Sequence, residues 1–346
     1  MHIHGGDIYT YQNMLDFSAN INPLGIPESV VRAAAAGAAA SASYPDPKCR
    51  RLKAAIAAHE QTPEEYVVCG NGAADLIFQL ALAAKPRRAL LLAPGFHEYE
   101  QALRTVDCQV DFFYLKEEDG FRLADAYLEA LTPGLDIVFL CNPNNPTGLA
   151  VPRPALLRIL EKCRDIGARL VMDECFNEFL DEPAAYSLKP ELSAYPNLFI
   201  LKAFTKIYAM PGLRLGYGLC ADQALLAALA EAAQPWSVSI PAQEAGLAAL
   251  TETEYVARAK ALVKDERERL QDALAALGCR TYGSMANYIF FRSVPGLAEA
   301  CRAHNLLLRD CSNYQGLCPG YFRAAVKLPE QNNQLLAVLT AVLAEF

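Results

Sequence analysis

The chain has 346 residues, of which 53% are hydrophobic and 20% charged, enough to bury one large core and a smaller second one. A formal net charge of -8 gives no attraction to a phosphate backbone, and no basic run stands out, so a nucleic-acid partner is not expected. The N-terminus "MHIHGGDIYTYQ" lacks a basic and then apolar leader, every later apolar run is too short or too broken to span a bilayer, and eleven cysteines without a C-x-x-C pair suggest neither disulfides nor a metal site, so a cytoplasmic protein with no membrane partner is expected.

From the N-terminus, an arm leads into the alanine-rich "SVVRAAAAGAAASAS" (29 to 43), which reads as a helix. Residues 1 to 44 have little core of their own and are expected to pack with the C-terminal part. Short apolar runs that end in turn-forming or polar residues then recur: "RALLLAPG" (88 to 95), "VDFFYL" (110 to 115), "DIVFLCNPNNPTG" (136 to 148), "RLVMDE" (169 to 174), "NLFILKAF" (197 to 204) and "LGYGLC" (215 to 220). They read as buried strands. Between them lie helical patterns such as "GAADLIFQLALAAK" (72 to 85) and "PRPALLRILEKCRDIG" (152 to 167), the latter opened by proline and stopped by glycine. This alternation predicts an α/β domain with a largely parallel sheet over 45 to 238. After "PWSVS" (235 to 239), the long helical "EYVARAKALVKDERERLQDALAALG" and separated strands predict a smaller α+β domain over 239 to 346, joined by residues 1 to 44.

Ligands of open α/β sheets bind beyond the carboxyl ends of the strands, and four such places are unusual here. "VVCGNGAADLI" (67 to 77) ends a strand in a glycine turn that starts a helix, where free N–H groups can hold a phosphate; by itself such a turn is more often only a turn. "CNPNNPTG" (141 to 148) fixes Asn145 after a strand, and alone it reads as a pair of Asx turns. "LVMDECF" ends a strand with Asp173 and Glu174, and a carboxylate buried there needs a cationic or hydrogen-bonding partner. "LKAFTKIYAMPGLRLGY" (201 to 217) sets Lys206 in apolar company with Thr205 beside it and Arg214 eight residues on, and a desolvated lysine near another cation becomes an amine nucleophile.

Together these segments supply a phosphate cup, an anion for a ring nitrogen, an amide donor, an aromatic ring and a lysine, which is what pyridoxal 5'-phosphate requires. They resemble the fold type I pyridoxal-phosphate enzymes of the aspartate aminotransferase superfamily. That resemblance implies an aspartate aminotransferase-like fold with a mostly parallel seven-stranded sheet between helices and a smaller α+β domain. It also implies Lys206 as the Schiff-base lysine, Asp173 at the pyridinium nitrogen and Asn145 at O3'. The cup would comprise the Gly72 and Ala73 amides with Thr205 and Arg214, joined by Tyr44 of a partner subunit in a homodimer. Tyr99 of "PGFHEYEQ" would stack on the ring.

Seven further segments, "HGGDIYTY", "LDFSANINPLGIP", "SYPDP", "PWSVS", "ANYIFFR", "LLLRDCSNYQGL" and "YFRAAVK", are similar to the threonine-phosphate decarboxylases of cobalamin biosynthesis, relatives of histidinol-phosphate aminotransferases. The likeness implies a small phosphorylated amino acid as substrate, with Arg323 on its carboxylate, Arg309 nearby, and His4, the Gly5 and Gly6 amides and Asn20 at its phosphate. Three positions depart from the usual patterns: Phe176 replaces the aminotransferase tyrosine three residues after the aspartate, Ala203 replaces a hydroxyl residue of the cup, and His97 stands where a smaller residue is usual. A histidinol-phosphate aminotransferase, a phosphoserine decarboxylase and a non-catalytic regulator on an aminotransferase-like domain are the alternative readings. The regulator needs a DNA-binding module, for which residues 1 to 44 have neither length nor charge.

Overall fold

A computed structural model describes residues 4–346. A two-residue strand, β1 (Leu15–Asp16), follows the arm. The central sheet is made of β2 (Val67–Gly70), β3 (Arg88–Ala93), β4 (Gln109–Tyr114), β5 (Ile137–Cys141), β6 (Arg169–Asp173), β7 (Leu198–Ala203) and β8 (Gly216–Leu219), in the spatial order β2-β8-β7-β6-β5-β3-β4. Only β8 runs against its neighbours, antiparallel to both β7 and β2.

Those directions position the site. Strands β3, β5, β6 and β7 are mutually parallel and end at one edge of the sheet. Being antiparallel to a strand antiparallel to β7, β2 ends at the same edge, and reversed β8 begins there. The segments after β2, β3, β5, β6 and β7, and the segment before β8, therefore converge although they span residues 71 to 215.

Side-chain alternation divides the sheet into two apolar faces. Leu90, Leu92, Val138, Leu140, Leu170, Met172, Leu198 and Ile200 join one core cluster; Leu91, Phe139, Val171, Phe199 and Leu201 join the other. Burial on both faces makes these strands continuous apolar runs in sequence. Helices Ala73–Ala84 and His97–Arg104 cover the second face through Leu76, Ile77, Leu80, Tyr99 and Leu103.

A four-stranded antiparallel sheet forms beyond it from β9 (Arg280–Thr281), β10 (Tyr288–Arg292), β12 (Arg309–Asp310) and β13 (Tyr321–Ala325), while β11 (Leu306–Leu307) pairs in parallel with β1. The alanine-rich helix Glu28–Ala39 packs on helix Ile240–Ala249 so closely that a Cβ on Gly37 would lie 2.8 Å from the Pro241 Cα. Glu117, which follows β4, ties the two sheets together by accepting from Arg280 and Tyr282 on one oxygen and from Arg292 and Tyr321 on the other. No helix among the described residues is long and apolar enough to cross a membrane.

Candidate active site

A cavity of about 310 Å³ opens at the shared strand edge, bounded by the large sheet, the segment 4–20 and β12 and β13. At the end of β6, Asp173 lies 5% exposed on its wall. Its Oδ2 accepts from the Tyr99 hydroxyl at 2.5 Å and its Oδ1 from the Cys175 N–H at 3.0 Å. Asp173 shares the sheet face of Val171, two residues earlier. Glu174 takes the opposite face, where Ser187 Oγ and the Leu188 N–H hold it, and burial pushes it up to about 7.

After β7 the chain turns through the one-turn helix Phe204–Ile207 and directs Lys206 into the cavity. Burial brings Lys206 down to about 8, the nearby positive charges of Arg323 and Arg214 act in the same direction, and Cys175 and Asp173 oppose them. An amine near 8 is a far better nucleophile at neutral pH than an ordinary lysine, and such tuning is usual where an amine attacks a carbonyl. The Phe176 ring lies 5.5 Å from Nζ and packs edge-on against Tyr288, so phenylalanine offers the lysine a π face where a tyrosine would offer a hydroxyl.

At the cup, Gly72 precedes the twelve-residue helix Ala73–Ala84 at φ +90 and contributes no capping side chain. A Cβ there would lie 2.4 Å from Arg214 Nη2, and one on Gly216 would lie 2.5 Å from the Ala73 N. Glycine at both places lets the guanidinium and the helix N-terminus approach one another, with Thr205 and Ala203 also on the wall. Backbone N–H groups at a helix start beside an arginine form an anion site.

Opposite the cup, Arg323 is 6% exposed and donates from Nη2 to the Ser18 carbonyl at 2.9 Å and from Nη1 to Asn145 Oδ1. Asn145 Oδ1 also receives the Tyr314 hydroxyl at 3.4 Å, which leaves the amide's donor end for a ligand oxygen. Arg309, 5% exposed, donates to Asn313 Oδ1 at 2.8 Å. Asn20 Oδ1, Arg323 Nε and Glu98 Oε2 are buried without hydrogen-bond partners among the described residues, and all three residues line the cavity. Unmet polar atoms converging on one space mark a place for a polar ligand.

Two of the sequence expectations, Tyr99 and Gly6, are corrected in placement. Tyr99 does not line the cavity: its ring lies on Phe139, 4.8 Å between centroids at 22°, and Phe96 lines the wall in its place. The reason is local, since Phe96 is still extended at φ -71 and ψ 125, whereas Tyr99 lies inside the helix that follows and turns back onto the sheet. Gly6 is not on the wall either, and its N–H is taken by Ser18 Oγ at 2.7 Å. Tyr44 lies 78% exposed, stacked on Trp236 at 4.6 Å, outside this chain's cavity. His4 reaches the cavity, but with its Nδ1 3.3 Å from Glu98 Oε1. His97 fills space beside Tyr314, its Nε2 2.9 Å from the Asn313 carbonyl oxygen. Sequence reasoning missed Phe96, Glu98, Tyr314 and Ser18. All lie in stretches already quoted, but no local pattern separates them from neighbours that point elsewhere.

The fold and this cavity define a pyridoxal-phosphate-dependent enzyme with an aspartate aminotransferase-like fold. The chain belongs to the aminotransferase class I and II family, whose model matches residues 12–339. It is 40% identical to the threonine-phosphate decarboxylase of Salmonella typhimurium over 98% of this chain and 96% of that one. Among solved structures, the histidinol-phosphate aminotransferase from Clostridium acetobutylicum superposes with a TM-score of 0.90 at 30% identity, covering 96% of this chain and 100% of that one. The L-threonine-O-3-phosphate decarboxylase from Porphyromonas gingivalis does so with a TM-score of 0.82 at 25% identity, over 95% and 99%. The residues present fit pyridoxal phosphate, because a glycine-cleared anion cup, a partnered carboxylate and a buried amine share one cavity.

Proposed function

We propose that the protein decarboxylates L-threonine O-3-phosphate to (R)-1-amino-2-propanol phosphate, for the aminopropanol arm of cobalamin. The observation that carries this reading is Arg323, a buried guanidinium whose Nε has no partner among the described residues, in the cavity that holds Lys206 and Asp173. A guanidinium in that state calls for a carboxylate. The 40% identity to a threonine-phosphate decarboxylase supports the same choice.

Lys206 would be the covalent anchor, and Asp173, oriented by Tyr99 and the Cys175 N–H, would hold the proton on the ring nitrogen of pyridoxal phosphate. Gly72, Ala73, Thr205 and Arg214 would hold the cofactor phosphate, Asn145 would donate to the ring oxygen, and Phe96 would flank the ring. When bound, pyridoxal phosphate supplies a conjugated electron sink for the bond broken at Cα. Which bond breaks would be set by how the chain's own residues orient the substrate at Cα. Arg323 would grip the substrate carboxylate while Arg309, His4, Gly5 and Asn20 would hold the phosphate end, so together they would orient the bond to the carboxylate for cleavage. The Lys206 amine, when not covalently engaged, would be placed to return a proton to Cα.

The protein is read as a cytoplasmic homodimer in which Tyr44 completes the neighbouring cup. The exposed Tyr44–Trp236 pair supports the contact, and eleven free cysteines suit a reducing compartment. The second reading, a histidinol-phosphate aminotransferase, is favoured by the 0.90 superposition on such an enzyme. Phosphoserine remains a rival substrate, since one methyl group changes binding by about 1–3 kcal/mol.

Incubation of the purified holoenzyme with phosphothreonine decides among them. The expected result is CO2 and aminopropanol phosphate with no pyridoxamine phosphate. Glutamate formed from histidinol phosphate and 2-oxoglutarate, with no CO2 from phosphothreonine, would sink the decarboxylase reading.

A further inference from the structure

We infer that Glu98 is a positioning residue for substrate binding: through His4 it docks the N-terminal arm at the cavity rim and closes the end of the pocket that takes the phosphate of a phosphorylated amino acid. The inference rests on the substrate class proposed above.

The arm is held at two points. Near residue 6 it is fastened to its own following segment: Ser18 Oγ accepts the Gly6 N–H at 2.7 Å and itself donates to Asp16 Oδ1 at 2.6 Å. Gly5 presses so closely on Ser18 that a Cβ there would lie 2.1 Å from the Ser18 carbonyl oxygen. That oxygen also accepts from Arg323, so this anchor is continuous with the residue proposed to grip the substrate carboxylate. The second point belongs to a different unit. Glu98 lies in the first turn of helix His97–Arg104, beyond β3, and its Oε1 is 3.3 Å from His4 Nδ1. The His4–Glu98 pair thus joins the arm to the large sheet across the cavity that both residues line.

The two partners are unequal. The His4 side chain is 54% exposed and the Glu98 side chain 15%, so a mostly buried carboxylate grips a histidine that solvent reaches. A pair with one wet partner is worth little by itself, which suits a contact that opens for substrate and closes on it. Glu98 also keeps Oε2 buried without a partner among the described residues, an unfavourable arrangement that a purely structural carboxylate would avoid. Burial pushes Glu98 up to about 7. The charges of Lys206 and Arg309 pull it down, Asp173 pushes it up, and His4 lies against it. A substrate phosphate arriving at His4 puts a second anion on the same imidazole and strengthens the docked state over the open one.

The test compares wild type, Glu98→Gln, His4→Ala and the double variant as holoenzymes. It reads amide hydrogen exchange over residues 5 to 12 and steady-state kinetics with phosphothreonine. Glu98→Gln keeps the side-chain shape, and His4→Ala probes the same contact from its solvent side, so a folding defect in one leaves the other informative. In the absence of substrate each single variant should speed exchange of the arm amides severalfold. Glu98→Gln should raise KM about tenfold with kcat within about twofold, and the double variant should be no worse than His4→Ala alone. Unchanged exchange, additive effects on KM, or a fall in kcat at constant KM would overturn the inference. Exchange without substrate needs no turnover, so it tests the arm contact even if phosphothreonine is not decarboxylated.

Discussion

The Tyr99 hydroxyl donates to Asp173 Oδ2 at 2.5 Å while the Tyr99 ring lies flat on Phe139 beneath the cavity. Tyr99 fixes where the Asp173 carboxylate points, and in the proposed function it would act on a bound ring through Asp173. Tyr99→Phe keeps the ring in place and removes only the donor. A hydrogen bond to a charged group contributes about 1.5–3 kcal/mol, so cofactor affinity should fall about ten- to a hundredfold with the fold intact. Titration of the apoprotein with pyridoxal phosphate, followed by its yellow absorbance, checks this. An unchanged affinity would mean that the Cys175 N–H suffices to orient Asp173.

Lys206 is held near 8, below its ordinary value of 10.5. Folding thus favours the neutral amine, which is the nucleophilic form. The unfolded chain binds the extra proton between 8 and 10.5, so this group's unfavourable contribution to stability is present below 8 and is relieved as pH rises through that window. The rate at which apoprotein captures pyridoxal phosphate should rise with pH and level off above about 8. Arg323→Leu removes a positive charge that lowers Lys206 and should move the midpoint upward. Lys206→Arg should show no covalent capture after borohydride reduction.

Gly72 pairs a positive φ with the close approach of Arg214. Gly72→Ala strains the backbone and drives a methyl group into the guanidinium, at a cost of about 1–3 kcal/mol. Phosphate-dependent affinity should suffer most: pyridoxal phosphate binds more weakly while pyridoxal, which has no phosphate, is affected much less. Equal losses for the two aldehydes would place the damage elsewhere than the cup.

Behind the sheet, Glu60 is 2% exposed and receives Lys202 at 2.8 Å, Lys189 at 2.9 Å and the Tyr217 hydroxyl. Despite burial, the two lysines hold it at about 2, below its ordinary 4.5. Its stabilising contribution is present above 4.5 and fades as pH falls towards 2. Glu60→Ala strands Lys202 with Glu178 as its remaining ion-pair partner and should cost about 3–5 kcal/mol in denaturant unfolding of the holoprotein. Glu60→Leu together with Lys202→Met should recover much of that loss.

Most of the architecture was legible in the sequence because the forces that set it act locally. "DIVFLC" and "NLFILKA" are buried on both faces and so appear as unbroken apolar runs; strands β5 and β7 lie within them. The glycines of "CGNGAAD", and the lysine and arginine of "TKIYAMPGLR", were recognisable because positive φ, helix starts and isolated buried cations are unusual within a few residues. Tyr99 was misplaced for a local reason too: the helix begins between it and Phe96, and one turn decides which ring meets the cavity.

The sequence by itself determined the strands, the helices and the kinds of groups available at strand ends, since each depends on backbone propensity and on apolar spacing over a dozen residues or fewer. Only the tertiary structure decided which groups meet. Strand pairing set Asp173 and Glu174 on opposite faces, the reversal of β8 carried Arg214 to Gly72, and packing of the two sheets brought Asn145, Tyr314 and Arg323 together across as many as 178 positions. Contacts over such separations depend on how whole elements fit together, and no short window of residues records that fit.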